Sequence, residues 1–136
     1  MTSPLVRRLL AEFIGTAFLL AGVIGSGIMA ERLTDDVGLQ LLANAGATAG
    51  VLYAIILMFG PVSGAHFNPA VTLSDAALTN RPWSDAAFYI VAQVAGGSVG
   101  VMVANLMFEL DAITMSDKVR DGSGQYIAEV VATFGL

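Results

Sequence analysis

Few residues in this chain have both a type and a setting that could do chemistry. One histidine, His66, stands in the run Pro61-Val62-Ser63-Gly64-Ala65-His66-Phe67-Asn68-Pro69-Ala70-Val71-Thr72-Leu73, which also carries the tripeptide Asn68-Pro69-Ala70. Two glutamates, Glu12 and Glu129, sit in otherwise apolar surroundings. A charge inside lipid costs about 2.5–3.5 kcal/mol on insertion scales, so such residues are functional by default. Catalysis asks for more. His66 has no base or nucleophile near it in sequence, which leaves a structural role or a gate moved by protonation. One histidine and no cysteine exclude the usual metal donor sets, a disulfide framework and thiol redox chemistry. The chain reads as a non-enzyme, with no cofactor and no metal.

The elements that must position these residues follow from composition. Of 136 residues, 56% are hydrophobic and 12% charged, about half the charged share of an ordinary soluble domain. That excludes a solvated globular surface, and it excludes disorder, which needs polar, charge-rich sequence. A net charge of −5 with six basic residues excludes a nucleic-acid surface. An all-α integral membrane protein remains.

Three apolar stretches are long enough to cross a hydrocarbon core about 30 Å thick: 9–29, 38–59 and 86–108. The first is too long, and too interrupted by Glu12, for a signal-peptide core. A fourth apolar segment runs from Tyr126 to Leu136 and is too short to span. Ala92, Gly96, Gly100 and Ala104 form a small-residue stripe on the third span, and Gly46, Gly50 and Ala54 another on the second. Such stripes let helices approach closely in lipid. Arg7 and Arg8 before the first span favour a cytoplasmic N-terminus, although the basic residues divide evenly between the two sides.

The run from Pro61 to Leu73 is too apolar for a loop in water and too broken for a span. Asn68 followed by Pro69 reads as an N-cap with proline at the first helical position. A helix over 68–78 would be about 16 Å long, half a bilayer, before Asn80-Arg81-Pro82 ends it. This is a re-entrant half-helix. Irregular backbone at membrane depth is tolerated only when buried in protein or lining a wet cavity. The half-helix N-terminus brings a partial positive charge there, which repels cations and orients polar neutral molecules. The carbonyls of Gly64 to Phe67, unpaired by any helix, can serve as a ladder of acceptors. A pore is the natural reading.

The strings SGAHFNPAVTL and AEFIGT resemble the first half of the aquaporin and glycerol-facilitator family, and more loosely its bacterial members found near arsenic-resistance genes. The resemblance covers nearly the whole chain. It implies inverted repeats of three spans and one half-helix, so that residues 1–122 form a first repeat and 123–136 open a second. Ala11-Glu12-Phe13-Ile14-Gly15-Thr16 recurs loosely as Ala128-Glu129-Val130-Val131-Ala132-Thr133, as such a duplication requires.

What the resemblance implies for function is a passive channel for water and small uncharged solutes, with glycerol or metalloid hydroxides such as arsenite as candidates. The alternative is an incomplete half-channel, inactive unless paired with a second half. Asn68 would offer its amide to permeating molecules as well as cap the half-helix, with Pro69 and Ala70 structural. Gly64, Ala65, His66 and Phe67 would line the path. Glu12 and Glu129 would be buried carboxylates accepting hydrogen bonds from the motif loops, a proton relay being the sharper alternative. Thr48 stands twenty residues before Asn68, where the family usually places a bulky aromatic at its filter, and would widen the mouth. Asp75 also departs from the usual aliphatic residue. The implied partners are the lipid bilayer, small neutral solutes and the other copies of a homo-tetramer. The implied location is a bacterial inner membrane.

Overall fold

The computed structural model describes residues 4–114 and 121–134. Every regular element among them is helical: α1 (Leu5–Leu33), α2 (Val37–Ser63), α3 (Pro69–Thr79), α4 (Trp83–Met107) and α5 (Ser123–Phe134). Three of these, α1, α2 and α4, are long and apolar enough to cross a membrane; α1 and α2 overrun the apolar stretches expected for them at both ends, and α4 starts three residues earlier and ends one residue short. The chain is a multi-pass integral membrane protein.

Local signals set the helix ends. Asp36 caps α2, its carboxylate accepting the Leu39 N–H at 3.1 Å. Asn68 caps α3 by accepting the Ala70 N–H at 2.7 Å, with Pro69 in the first turn. Asn80 ends α3 in the left-handed conformation, φ 57°. Pro61 departs from expectation: it lies inside α2, which runs on to Ser63 and stops at Gly64 with φ 96°. Proline deletes one helical N–H, but in an apolar setting unwinding the remaining turn would expose more backbone than it deletes.

α1 is the hub. It packs against both α4 and α2, and α3 packs on α4. The α1–α4 crossing is set by small residues: a Cβ on Gly96 would collide with the Phe13 carbonyl, and one on Gly100 with the Ala17 carbonyl. The stripe at Gly46 and Gly50 behaves otherwise, since both are exposed with nothing within 4 Å of an added Cβ. The chain is apolar outside, with Leu10, Phe18, Leu41, Tyr53, Leu57 and Val91 among its exposed side chains. Small and polar residues fill the interior, where Ala11, Ala76, Ala86 and Ala104 are buried beside Glu12, Thr72 and Gln93.

The fourth segment forms α5. Its residues 123–133, Glu129 among them, are exposed. No described element packs on α5 closely enough to cover it. Its carboxylate has no salt-bridge or hydrogen-bond partner among the described residues.

Candidate functional site

The site forms where the broken segment between α2 and α3 rests on α1. Glu12 is completely buried and accepts four hydrogen bonds. Its Oε1 takes the Ser63 hydroxyl at 2.6 Å and the His66 N–H at 3.1 Å. Its Oε2 takes the Phe67 N–H at 2.8 Å and the Gln93 amide at 2.9 Å. Four donors on one carboxylate are what an ionised group needs when cut off from water. Glu12 therefore replaces the helical bonds that the 64–67 loop lacks.

Gly15, one turn along α1, completes the seat. A Cβ there would collide with the Phe67 ring, which is buried on it and meets Phe59 edge-on at 6.1 Å. The loop needs this support because Gly64, Ala65 and Phe67 all have positive φ, at 96°, 53° and 47°. The left-handed conformation costs an L-residue about 1–2 kcal/mol. Ser63 Oγ further accepts the Ala65 N–H at 3.1 Å.

Held in this way, the loop leaves its main-chain acceptors free. The carbonyls of Gly64, Ala65, His66 and Phe67 accept no hydrogen bond among the described residues, although such groups are nearly always paired when buried. Asn68 is half-buried; its Oδ1 is taken by the cap, so it can present only the Nδ2 donors to a visitor. Acceptors from the loop and donors from Asn68 thus meet at the N-terminus of α3. Pro69 and Ala70 are both exposed in its first turn.

Two residues that sequence reading did not single out join the loop to α4. Gln93, fully buried, donates to Thr72 Oγ1 at 2.9 Å as well as to Glu12. Tyr89 is fully buried and its hydroxyl donates to the Ser63 carbonyl at 2.9 Å. Their spacing of one helical turn, continued by Gly96 and Gly100, was the available signal.

Charge gathers where α1 and α4 begin and α3 ends. Arg8 pairs with Asp85 at 2.9 Å, Arg81 pairs with Asp75, and both guanidinium groups lie over the Tyr89 ring, at 5.9 and 5.0 Å. Burial pushes the Asp75 carboxyl up, but the hydrogen bond and charge of Arg81, with help from His66 and Thr79, outweigh it and hold the group below its ordinary value.

Thr48 is half-buried on α2 and shares no hydrogen bond with the loop. It stands about 22 Å along the helix from Ser63, at about 1.5 Å per residue. A groove of about 680 Å³ between α1, α2 and α4 is lined by apolar side chains such as Phe18, Val51 and Val103, which offer nothing to orient a polar solute. Among the described residues no three His, Cys, Asp or Glu side chains are grouped to hold a metal ion.

Comparison with known proteins agrees with this geometry. Residues 1–136 match the family described as Major intrinsic protein. The chain is 50% identical to the aquaglyceroporin AqpS of Rhizobium meliloti over 132 residues, which are 97% of this chain and 57% of that protein. It is 39% identical to aquaporin NIP6-1 of Arabidopsis thaliana over 106 residues, 77% of this chain and 34% of the relative. Aquaporin NIP1-2 of the same plant is 30% identical over 142 residues, covering 98% and 48%. The chain spans about half the length of the curated relatives it matches.

Proposed function

The chain belongs to the major intrinsic protein family, and from that premise we propose that it supplies one side of a passive transmembrane path for water and small uncharged solutes. The observation that carries this reading is the row of four unpaired carbonyls, Gly64 to Phe67, ending at the Asn68 cap. A neutral molecule bearing hydroxyl groups can exchange its water hydrogen bonds for these carbonyls and then for the Asn68 amide. A cation meets the positive end of α3 and loses its hydration. Glu12, Ser63, Gln93 and Tyr89 act on the path only by holding the loop. His66 contributes its carbonyl.

A threonine at position 48 leaves more room than a bulky aromatic would, and the longer relative at 50% identity is named an aquaglyceroporin. Both favour small polyols such as glycerol alongside water, and the room at position 48 also suits metalloid hydroxides. The exposed apolar faces, with the open stripe at Gly46 and Gly50, favour burial against further helices, and a homo-tetramer is the family's arrangement. Arg7 and Arg8 favour a cytoplasmic N-terminus, and the rhizobial relative favours a bacterial inner membrane.

The test is stopped-flow swelling of proteoliposomes that carry this half together with its complement. Glycerol and water flux above the lipid baseline, with no cation conductance, is the expected result. Cation conductance comparable to solute flux would overturn it.

A further inference from the structure

His66 Nδ1 lies 3.0 Å from Thr72 Oγ1. The same hydroxyl donates to the Asn68 carbonyl at 3.1 Å and accepts the Gln93 amide at 2.9 Å. Gln93 cannot be turned over, because its oxygen would then face the Glu12 carboxylate. A hydroxyl has one proton, and with that of Thr72 given to the Asn68 carbonyl one turn back the ring is the donor at Nδ1. In this arrangement neutral His66 is the Nδ1–H tautomer with a bare Nε2.

That bare nitrogen faces Asp75 Oδ2 at 3.7 Å, an acceptor opposite an acceptor. The same Oδ2 takes the Arg81 Nε–H, while the Thr79 hydroxyl, which donates to the Asp75 carbonyl at 2.7 Å, lies 3.2 Å from Oδ1. The His66 side chain is 7% exposed against 24% for Asp75, so a proton reaches it from the carboxylate side. Every packed element contributes charged or titratable groups around the ring. From α1 come Glu12, bonded to the His66 N–H, and Arg8; from α3, Asp75; from the turn after it, Arg81; and from α4, Asp85 with Tyr89, whose ring lies 5.3 Å from the imidazole.

We propose that His66 Nε2 and Asp75 Oδ2 form a proton-operated latch. When solvent supplies a proton to Nε2, the imidazolium competes with Arg81 for the one carboxylate oxygen. The ring then fastens the 64–67 loop to α3 through both nitrogens, Nδ1 on Thr72 and Nε2 on Asp75, and the Asn80–Pro82 turn loses its tie to α3. A consequence, which rests on the channel reading above, is that solute flux varies with pH across the His66 titration.

His66 is the one histidine of the chain, so selective ¹⁵N-histidine labelling of the chain in micelles gives one pair of ring signals. The neutral ring should carry its proton on Nδ1. A nearby opposite charge favours the protonated ring and a like charge disfavours it, so Asp75→Asn should lower the midpoint. Arg81→Gln should raise it, and serves if Asp75→Asn does not fold. A neutral Nε2–H tautomer, or a midpoint unmoved by whichever variants fold, overturns the latch. In the reconstituted channel, Asp75→Asn should abolish the pH dependence of flux. Wild-type flux that is flat across the His66 titration overturns the regulatory consequence. Absence of flux at every pH counts against the channel reading alone, since the ring signals decide the latch.

Discussion

Glu12, near the start of α1, accepts the main-chain N–H of Phe67 at 2.8 Å across a separation of 55 residues. A carboxylate buried for a backbone bond is unusual, and this one is bonded on both oxygens. Glu12→Gln keeps the shape but turns an NH₂ toward two of the donors it served. Charge-assisted hydrogen bonds contribute about 1.5–3 kcal/mol each, so a loss of about 3 kcal/mol is expected. Thermal unfolding in detergent should show a clearly lower midpoint, and a midpoint equal to wild type would mean that Glu12 does not seat the loop as an ion.

Gly96 and Gly46 look alike in sequence and differ in structure. A Cβ at Gly96 runs into the Phe13 backbone, whereas one at Gly46 meets nothing within 4 Å. Gly96→Ala should destabilise the chain by about 1–3 kcal/mol through overpacking. Gly46→Ala should be neutral or gain up to about 1 kcal/mol of helix propensity. The two unfolding midpoints, measured side by side in one detergent, check the contrast; equal losses would contradict the α1–α4 crossing.

The contrast also marks how far sequence reading reached. The three spans and the half-helix were legible because apolar runs and the Asn68-Pro69 cap are local signals. The stripe at Gly46 meets no helix among the described residues, because a small-residue stripe reports that a helix can approach, not which one does. Pro61 misled because its effect on a helix depends on what surrounds the turn it weakens. Gln93 was not singled out, since a glutamine in an apolar run reads the same with or without a partner. Glu129 repeats the Glu12 pattern, yet burial comes from packing, and α5 is exposed.

Asn68 presents donors at the positive end of α3 while its oxygen caps the helix. Asn68→Asp retains an oxygen for the cap and replaces the donors with negative charge. In the channel carrying this half, cation conductance should rise above the wild-type level while solute flux falls. Planar-bilayer currents together with swelling rates read both. Unchanged selectivity at normal expression would remove Asn68 from the path.

Asp36 and Asn80 should lie on opposite sides of the membrane. The bond from Arg8 to Asp85 sets the start of α1 beside the start of α4, next to Asn80, while Asp36 follows the far end of α1. With the N-terminus cytoplasmic, a cysteine at position 36 should react with an impermeant maleimide added outside intact cells. A cysteine at 80 should react only after permeabilisation. Equal outside labelling of both would break the arrangement.

The 136 residues reconstituted alone should give no selective flux. Relatives that match nearly all of this chain are about twice its length, and a single layer of α1, α2, α4 and α3 can wall a path on one side only. With nothing opposite, the four unpaired carbonyls and the positive end of α3 would face hydrocarbon, at several kcal/mol for each unsatisfied group. Two copies could restore a counterpart, but inverted repeats would require them to insert in opposite senses, which the evenly divided basic residues allow without favouring. Swelling assays on the purified chain, alone and with a separately supplied complementary half, decide the matter. Flux only in the mixture is the expected outcome. Robust water or glycerol flux from the chain alone would instead establish an antiparallel pair as the conducting unit.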